Sequence, residues 1–130
     1  MSLSRLQSNT LLIADDSQAI RMLLKEIIEQ GNVKKKVIEA DNGIDAVKLY
    51  QQHKPDLIIL DIFMPKADGV QVLRVLRKIN KNAKIIITSA HENAKFIEQA
   101  KDYGVSGVLV KPFTKQSALQ IITQALNQPW

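Results

Sequence analysis

The chain has 130 residues, of which 45% are hydrophobic and 24% charged, with a formal net charge of +5 and no cysteine. This length and apolar fraction suit one domain with one core, and the lack of cysteine excludes disulfides, thiolate metal sites and cysteine nucleophiles. No stretch approaches the roughly 18 consecutive apolar residues of a membrane span, and the polar start of the chain lacks the apolar core of a signal peptide. We therefore expect a cytoplasmic domain over residues 10–127, a flexible segment over 1–9, and a tail or the start of a linker over 128–130.

The positive charge does not indicate a nucleic-acid surface. The basic residues are scattered, apart from the run Lys34-Lys35-Lys36, and no aromatic residue interleaves with that run to stack bases. A short run of this kind between a helix and a strand is usually a solvated loop. We expect no direct contact with nucleic acid or with a membrane.

Short, continuous apolar runs recur along the chain, with helical patterns between them. The runs cover residues 11–14, 37–38, 57–60, 85–87 and 108–110. Strands that are apolar at every position are buried on both faces, which is typical of a parallel sheet covered by helices. These five runs therefore predict five parallel strands.

The helical patterns are predicted from apolar spacing and from residues that start or stop helices. Because the fourth pattern has a narrow apolar stripe, little buried area holds it and we expect it to be mobile. In chain order, the first helix starts after Ser17 and stops at Gly31, the second spans Ile44 to Tyr50, the third follows Asp68-Gly69, the fourth spans Ala94 to Ala100, and the fifth runs from Thr114 to Pro129.

Five strand–helix units predict an α/β fold with a doubly wound parallel sheet and right-handed crossovers. For five such units the common strand order is 2-1-3-4-5, the flavodoxin-like order. Ligands then bind beyond the carboxyl ends of strands 1 and 3, where the winding reverses. Functional residues are expected at this edge of the sheet.

Polar side chains stand at that edge. Asp15 and Asp16 follow the first strand, and Asp61, Ser89 and Lys111 follow the third, fourth and fifth. Three converging carboxylates repel one another unless a cation neutralises them, and an oxygen-rich set without histidine or cysteine favours Mg²⁺ over zinc or a redox metal. With a metal bound, Asp61 is a candidate nucleophile toward phosphorus, and Lys111 and Ser89 are candidates to hold the phosphoryl oxygens.

Each of these residues also has a purely structural interpretation. The Asp15-Asp16 pair suits a helix N-terminus, and Asp61, followed by Met64-Pro65, suits the start of a loop. Ser89 suits the cap of the fourth helix, and Lys111 suits a plain strand exit. Their coincidence at one predicted edge favours the functional interpretation.

Four motifs carry a resemblance to a known family. LIADDS at 12–17, LDIFMP at 60–65, TSA at 88–90 and VKPF at 110–113 resemble the receiver domains of bacterial two-component response regulators, in particular single-domain receivers of the chemotaxis type. The resemblance extends from about Thr10 to Leu126, with the motifs in the family's order and spacing.

The resemblance implies a phosphorelay role. Asp61 would accept a phosphoryl group from a sensor histidine kinase or a phosphotransfer protein. Mg²⁺ would be bound by Asp16, Asp61 and the backbone carbonyl of Phe63, while Asp15 would reach the ion largely through water.

The same resemblance assigns roles around the acceptor. Lys111 would pair with Asp61 and then with the phosphoryl oxygens, and the bond from Lys111 to Pro112 would be cis. Ser89 would turn toward the phosphoaspartate and bias the position of the fourth helix. Since the fourth and fifth helices lie beside Ser89 and Lys111, we expect their exposed faces to bind a downstream protein or an output domain.

The chain departs from the family pattern three residues before Lys111. Many receivers carry Tyr or Phe there, and this chain has Val108, so an aromatic switch at this position is not available. Phe63 and His91 occupy two positions that influence the lifetime of the phosphoryl group in the family.

Competing functions are less well supported. The leading interpretation is a phosphoacceptor that catalyses its own phosphorylation and is not an enzyme that releases a product. The main alternative is a receiver-like scaffold that works without phosphorylation. A flavodoxin-type cofactor protein needs a phosphate loop where this chain has Asp15-Asp16. An aspartate-nucleophile phosphatase needs an acid where this chain has Phe63.

Overall fold

Strands and helices alternate along the chain in a computed structural model that describes residues 9–64, 67–90 and 93–129. The predictions for the first eight residues, for His91 and for residue 130 fall outside these ranges. The elements are β1 (Thr10–Ala14), α1 (Gln18–Gln30), β2 (Lys36–Ala40), α2 (Gly43–His53), β3 (Leu57–Asp61), β4 (Phe63–Met64), β5 (Ala67–Asp68), α3 (Gly69–Ile79), β6 (Ile85–Ala90), α4 (Ala94–Lys101), β7 (Gly107–Lys111) and α5 (Lys115–Asn127).

A parallel sheet of five strands forms the centre of the fold, in the order β2-β1-β3-β6-β7. Since β6 and β7 are the fourth and fifth strands of this sheet, the predicted order 2-1-3-4-5 is confirmed. A second sheet, of two strands, was not predicted from the sequence. The short strands β4 and β5 pair antiparallel between β3 and α3, with Phe63 opposite Asp68 and Met64 opposite Ala67.

Helices cover both faces of the sheet, which is why the central strands β1, β3 and β6 carry continuous apolar runs. Alternate residues of β1, β3 and β6 pack with α2, α3 and α4 on one face, and the intervening residues pack with α1 and α5 on the other. Leu12 and Ile58 belong to the first core, and Ile13 and Ile59 to the second. Burying each such side chain stabilises the fold by roughly 1.5–3 kcal/mol relative to leaving it exposed.

The helix ends agree with the predicted start and stop signals. Ser17, Asp68 and Thr114 each accept a hydrogen bond from the first turn of α1, α3 and α5, and Gly31 follows α1. Because Ser17 caps α1, the interpretation of Asp15-Asp16 as the helix cap is wrong.

The fourth helix has 8 residues and a narrow buried stripe. Of its side chains, Ile97 and Ala100 are buried. Its expected mobility stays a prediction. No helix in the described ranges is long and apolar enough to span a membrane.

Candidate functional site

Three carboxylates meet at the carboxyl edge of the sheet. One carboxylate oxygen from each of Asp15, Asp16 and Asp61 lies within 4.8 Å of the other two. They meet because β1 and β3 are adjacent and parallel, with Ala14 opposite Leu60. Asp15 and Asp61 are 1% and 5% exposed, whereas Asp16 is exposed. The site therefore offers one carboxylate to solvent and holds two in the interior.

Asp15 is held through its backbone and its side chain. Its N–H donates to the carbonyl of Ala40 at 3.0 Å, and its carbonyl accepts from the guanidinium of Arg21 at 2.8 Å. One carboxylate oxygen accepts from the N–H of Ser17, and the other accepts from the ammonium of Lys111, each at 2.9 Å. Both oxygens of Asp15 are thus already engaged by protein groups.

Asp61 ends β3 in a buried position. One carboxylate oxygen accepts from the N–H of Phe63 at 2.9 Å, and the other lies 3.3 Å from Nζ of Lys111. The pKa of Asp61 is raised from 3.8 to about 6, mainly by burial and also by the charge of Asp15, although the Phe63 N–H and Lys111 oppose the rise. Burial therefore raises this pKa more than repulsion between the carboxylates does, which was the effect inferred from the sequence. A bound cation would offset both effects.

Lys111 bridges the two buried carboxylates. Its ammonium lies 2.9 Å from Asp15 and 3.3 Å from Asp61, so the implied pair with Asp61 is present, with Asp15 as the closer partner. Burial alone would lower the pKa of Lys111, but hydrogen bonds and charge from the two carboxylates outweigh it and raise that pKa. The peptide bond to Pro112 is cis.

Ser89 lies on β6, beside β3, one residue beyond the pairing of Asp61 with Thr88. It is 1% exposed, and its hydroxyl accepts a hydrogen bond of 3.0 Å from the side-chain amide of Asn93. Asn93, not Ser89, is the N-cap residue of α4, so the capping interpretation of Ser89 is wrong. The sequence pattern carried no signal for the role of Asn93, since the contact joins a strand to a helix end.

Phe63 contacts the site through its backbone and α4 through its ring. Its N–H donates to Asp61, and its ring is edge-on to that of Phe96, with centroids 4.9 Å apart and an interplanar angle of 82°. Phe96 lies on α4 and was not singled out in the sequence. The N-cap residue of α4 and one residue of its first turn therefore reach the site, Asn93 through Ser89 and Phe96 through Phe63.

The donor set suits a hard divalent cation. Among the described residues, the cluster consists of three carboxylates without histidine or cysteine. Lys111 supplies one positive charge against them, which leaves negative charge uncompensated. Carboxylates with an open side toward solvent are what Mg²⁺ uses in phosphoryl-transfer sites.

Residues 11–123 match the family model for the response regulator receiver domain. The chain belongs to this receiver domain family. Receiver domains are signalling phosphoacceptors of two-component systems that interact with histidine kinases or phosphotransfer proteins, and phosphorylation and Mg²⁺ binding are typical of the family. The role implied by the sequence motifs is therefore confirmed, and the scaffold alternative is not favoured.

Curated relatives span nearly the whole receiver domain. The chemotaxis protein CheY of Bacillus subtilis is 37% identical over 120 residues, which cover 92% of this chain and 99% of that protein. The sporulation initiation phosphotransferase F of the same organism is 31% identical over 108 residues, covering 83% and 86%.

Solved receiver structures share the fold. A response regulator receiver domain protein from Clostridium thermocellum superposes with a TM-score of 0.83 at 27% identity, covering 94% of this chain and 95% of that one. The receiver domain of NtrX from Brucella abortus superposes with a TM-score of 0.85 at 23% identity, covering 92% and 99%. The second similarity supports the fold alone.

Proposed function

We propose that Asp61 is the residue that accepts the phosphoryl group and that Mg²⁺ is bound there by Asp16, Asp61 and the backbone carbonyl of Phe63, with Asp15 acting through water. The observation that carries this proposal is the position of Asp61, buried within 4.8 Å of two further carboxylates and 3.3 Å from the ammonium of Lys111. The donor is a phosphohistidine of a sensor histidine kinase or a phosphotransfer protein.

Phosphoryl transfer to Asp61 replaces a P–N bond with a P–O bond. One carboxylate oxygen of Asp61 attacks phosphorus, and the P–N bond of the phosphohistidine breaks. The imidazole nitrogen keeps the bonding electron pair and takes up a proton from solvent, which leaves an acyl phosphate on Asp61. Later attack of water on this phosphorus returns Asp61 and inorganic phosphate. The bound cation supplies charge neutralisation for the phosphoryl oxygens.

The residues around Asp61 bind the metal ion and the phosphoryl group. Asp16 is the exposed carboxylate and serves as a direct metal ligand with Asp61 and the carbonyl of Phe63. Asp15 acts through water, in keeping with the two protein groups that already engage its oxygens. Lys111 exchanges its contact with Asp61 for one with the phosphoryl group.

Ser89 couples phosphorylation of Asp61 to the position of α4. Its hydroxyl turns from Asn93 toward the phosphoaspartate, and the position of α4 changes with it. The exposed faces of α4 and α5 then present the signal to a downstream protein or an output domain. We place these events in the cytoplasm.

Beryllofluoride, an analogue of the phosphoryl group on aspartate, tests this function. It is titrated with and without Mg²⁺ while amide NMR signals of the intact domain are followed. We expect Mg²⁺-dependent shifts at Asp16, Asp61, Ser89 and Lys111. Asp61→Asn should abolish them, whereas Asp102→Asn, which alters an exposed aspartate outside the site, should retain them.

An unresponsive wild-type domain would favour the scaffold alternative. Mg²⁺-dependent shifts that persist in Asp61→Asn would place the acceptor at another residue.

A further inference from the structure

Arg21 connects the acidic pair to β2. It lies in the first two turns of α1, and its side chain is 15% exposed. Nη1 donates to the carbonyl oxygen of Asp15 at 2.8 Å, and Nε donates to a carboxylate oxygen of Glu39 at 2.9 Å. Burial would raise the pKa of Glu39, but hydrogen bonds from Arg21 and Lys25 hold it below its ordinary value. The planar guanidinium of Arg21, a fork of hydrogen-bond donors, therefore links the carboxylate of Glu39, its charged anchor on β2, to the backbone carbonyl of Asp15.

The carbonyl that Arg21 binds belongs to the peptide group between Asp15 and Asp16. The N–H of Asp15 is fixed as well, since it donates to Ala40 at the end of β2. This stretch of backbone is thus attached to β2 on both sides of Asp15, once directly and once through Arg21 and Glu39. Since Asp16 is exposed, the direction of its carboxylate depends on this backbone more than on side-chain packing.

We propose that Arg21 is a positioning residue for the metal site, which holds the peptide between Asp15 and Asp16 so that the Asp16 carboxylate faces Asp61. This inference rests on the proposed function, in which Mg²⁺ binds these carboxylates. Arg21 contacts neither the cation nor the phosphoryl group. It acts through the Asp15 carbonyl, as groups behind metal ligands commonly do.

Positioning and charge affect Mg²⁺ affinity in opposite directions. A guanidinium close to the carboxylates repels a divalent cation, so loss of its charge alone would strengthen Mg²⁺ binding. Loss of its hydrogen bond to Asp15 would weaken binding. Arg21→Lys separates the two effects, because lysine keeps the charge but lacks the planar fork that reaches two acceptors at fixed geometry.

Lys25 provides a matched control. It lies on the same helix and donates to the other carboxylate oxygen of Glu39 at 3.2 Å. Its side chain is 47% exposed. Lys25→Met therefore removes a positive charge and one anchor of Glu39 while the fork of Arg21 stays in place. Glu39→Gln is a second test variant, which weakens the charged anchor of Arg21 and leaves Arg21 intact.

The experiment combines Mg²⁺ titration by calorimetry with amide hydrogen exchange of the metal-free domain, after circular dichroism has shown that each variant is folded. We expect Arg21→Lys to lower Mg²⁺ affinity by about 10-fold and to speed exchange at Ser17, whose N–H is bound by Asp15. Glu39→Gln should produce smaller changes in the same directions, and Lys25→Met should leave exchange at Ser17 unchanged.

Unchanged or stronger Mg²⁺ binding in Arg21→Lys would overturn the inference, and so would unchanged exchange at Ser17. The exchange measurement needs no metal and tests the positioning role separately from the proposed function. Absence of Mg²⁺ binding by the wild-type domain would instead contradict the proposed function.

Discussion

The side-chain amide of Asn93 donates a 3.0 Å hydrogen bond to the hydroxyl of Ser89 and makes no capping bond to α4. Ser89 has to leave this partner to reach a phosphoryl group on Asp61. Breaking such a bond costs about 1 kcal/mol, or roughly fivefold in affinity. We therefore expect Asn93→Ala to strengthen Mg²⁺-dependent beryllofluoride binding by about that factor, measured by NMR titration.

The effect has to pass through Ser89. In a Ser89→Ala background, Asn93→Ala should leave beryllofluoride affinity unchanged, as a double-mutant cycle would show. Equal effects of Asn93→Ala in the two backgrounds would contradict a direct link between these side chains.

The edge-on pair of Phe63 and Phe96 attaches α4 to the loop after the acceptor strand. Pairs of this geometry contribute about 0.5–1.5 kcal/mol beyond area burial. We expect urea unfolding of Phe63→Leu, Phe96→Leu and the double variant to show a coupling energy in this range. Leucine keeps apolar volume at both positions, so strictly additive losses would mean that the ring geometry contributes nothing.

The stability of the metal-free domain should fall as Asp61 ionises. Its pKa in the folded protein is about 6, against an ordinary value of 3.8. Between these values the folded state binds more protons than the unfolded state, so the free energy of unfolding decreases as pH rises. By pH 7 the cost is at most about 3 kcal/mol.

Asp61→Asn tests this sign, since it removes the ionisable group from nearly the same volume. Without metal it should be more stable than wild type by about 1–3 kcal/mol at pH 7, with a smaller difference at pH 4, in urea unfolding followed by circular dichroism. Added Mg²⁺ should stabilise the wild type more than the variant. A difference that does not change with pH would contradict the burial of an ionisable carboxyl.

Gly69 allows α3 to pack closely on the residue next to the acceptor. Its N–H donates to the carbonyl of Ile62 at 3.1 Å, and a Cβ at this position would overlap the backbone of Ile62. Gly69→Ala should cost about 1–3 kcal/mol of stability through overpacking. It should also weaken Mg²⁺ binding, because Ile62 lies between Asp61 and Phe63.

Gly104 provides the control for this substitution. Its φ is +76°, and a Cβ there would meet no atom within 4 Å. Gly104→Ala should therefore cost about 1–2 kcal/mol from backbone strain alone and leave Mg²⁺ affinity unchanged. Equal losses of Mg²⁺ affinity in the two variants would contradict a local effect of Gly69 on the site.

Thr88 carries a buried hydroxyl that has no hydrogen-bond partner among the residues the structure describes. Valine has almost the same shape without the polar atom. We expect Thr88→Val to stabilise the domain by about 1 kcal/mol, read as a higher urea midpoint at unchanged slope. A loss of stability would mean that the hydroxyl has a partner.

The sheet and the residues at its edge were predictable from local patterns. Runs such as 57–60 and 85–87 are apolar at every position, and such a run can be recognised from consecutive residues of the sequence alone. Once five strands alternate with helices, chain connectivity brings Asp61 and Lys111 to one edge. The β4–β5 ribbon was not predictable, because two paired residues on each side leave no periodic pattern.

Sequence pattern and motif therefore established the architecture and the set of candidate residues, since burial periodicity and strand order depend on residue type along the chain. Long-range packing assigned the partner of each polar group. It placed Arg21 on the carbonyl of Asp15, Lys111 closer to Asp15 than to Asp61, and the hydroxyl of Ser89 on Asn93. A hydrogen bond requires two atoms to approach within about 3 Å at a narrow angle, and side chains on different elements reach that geometry only when the whole domain has packed.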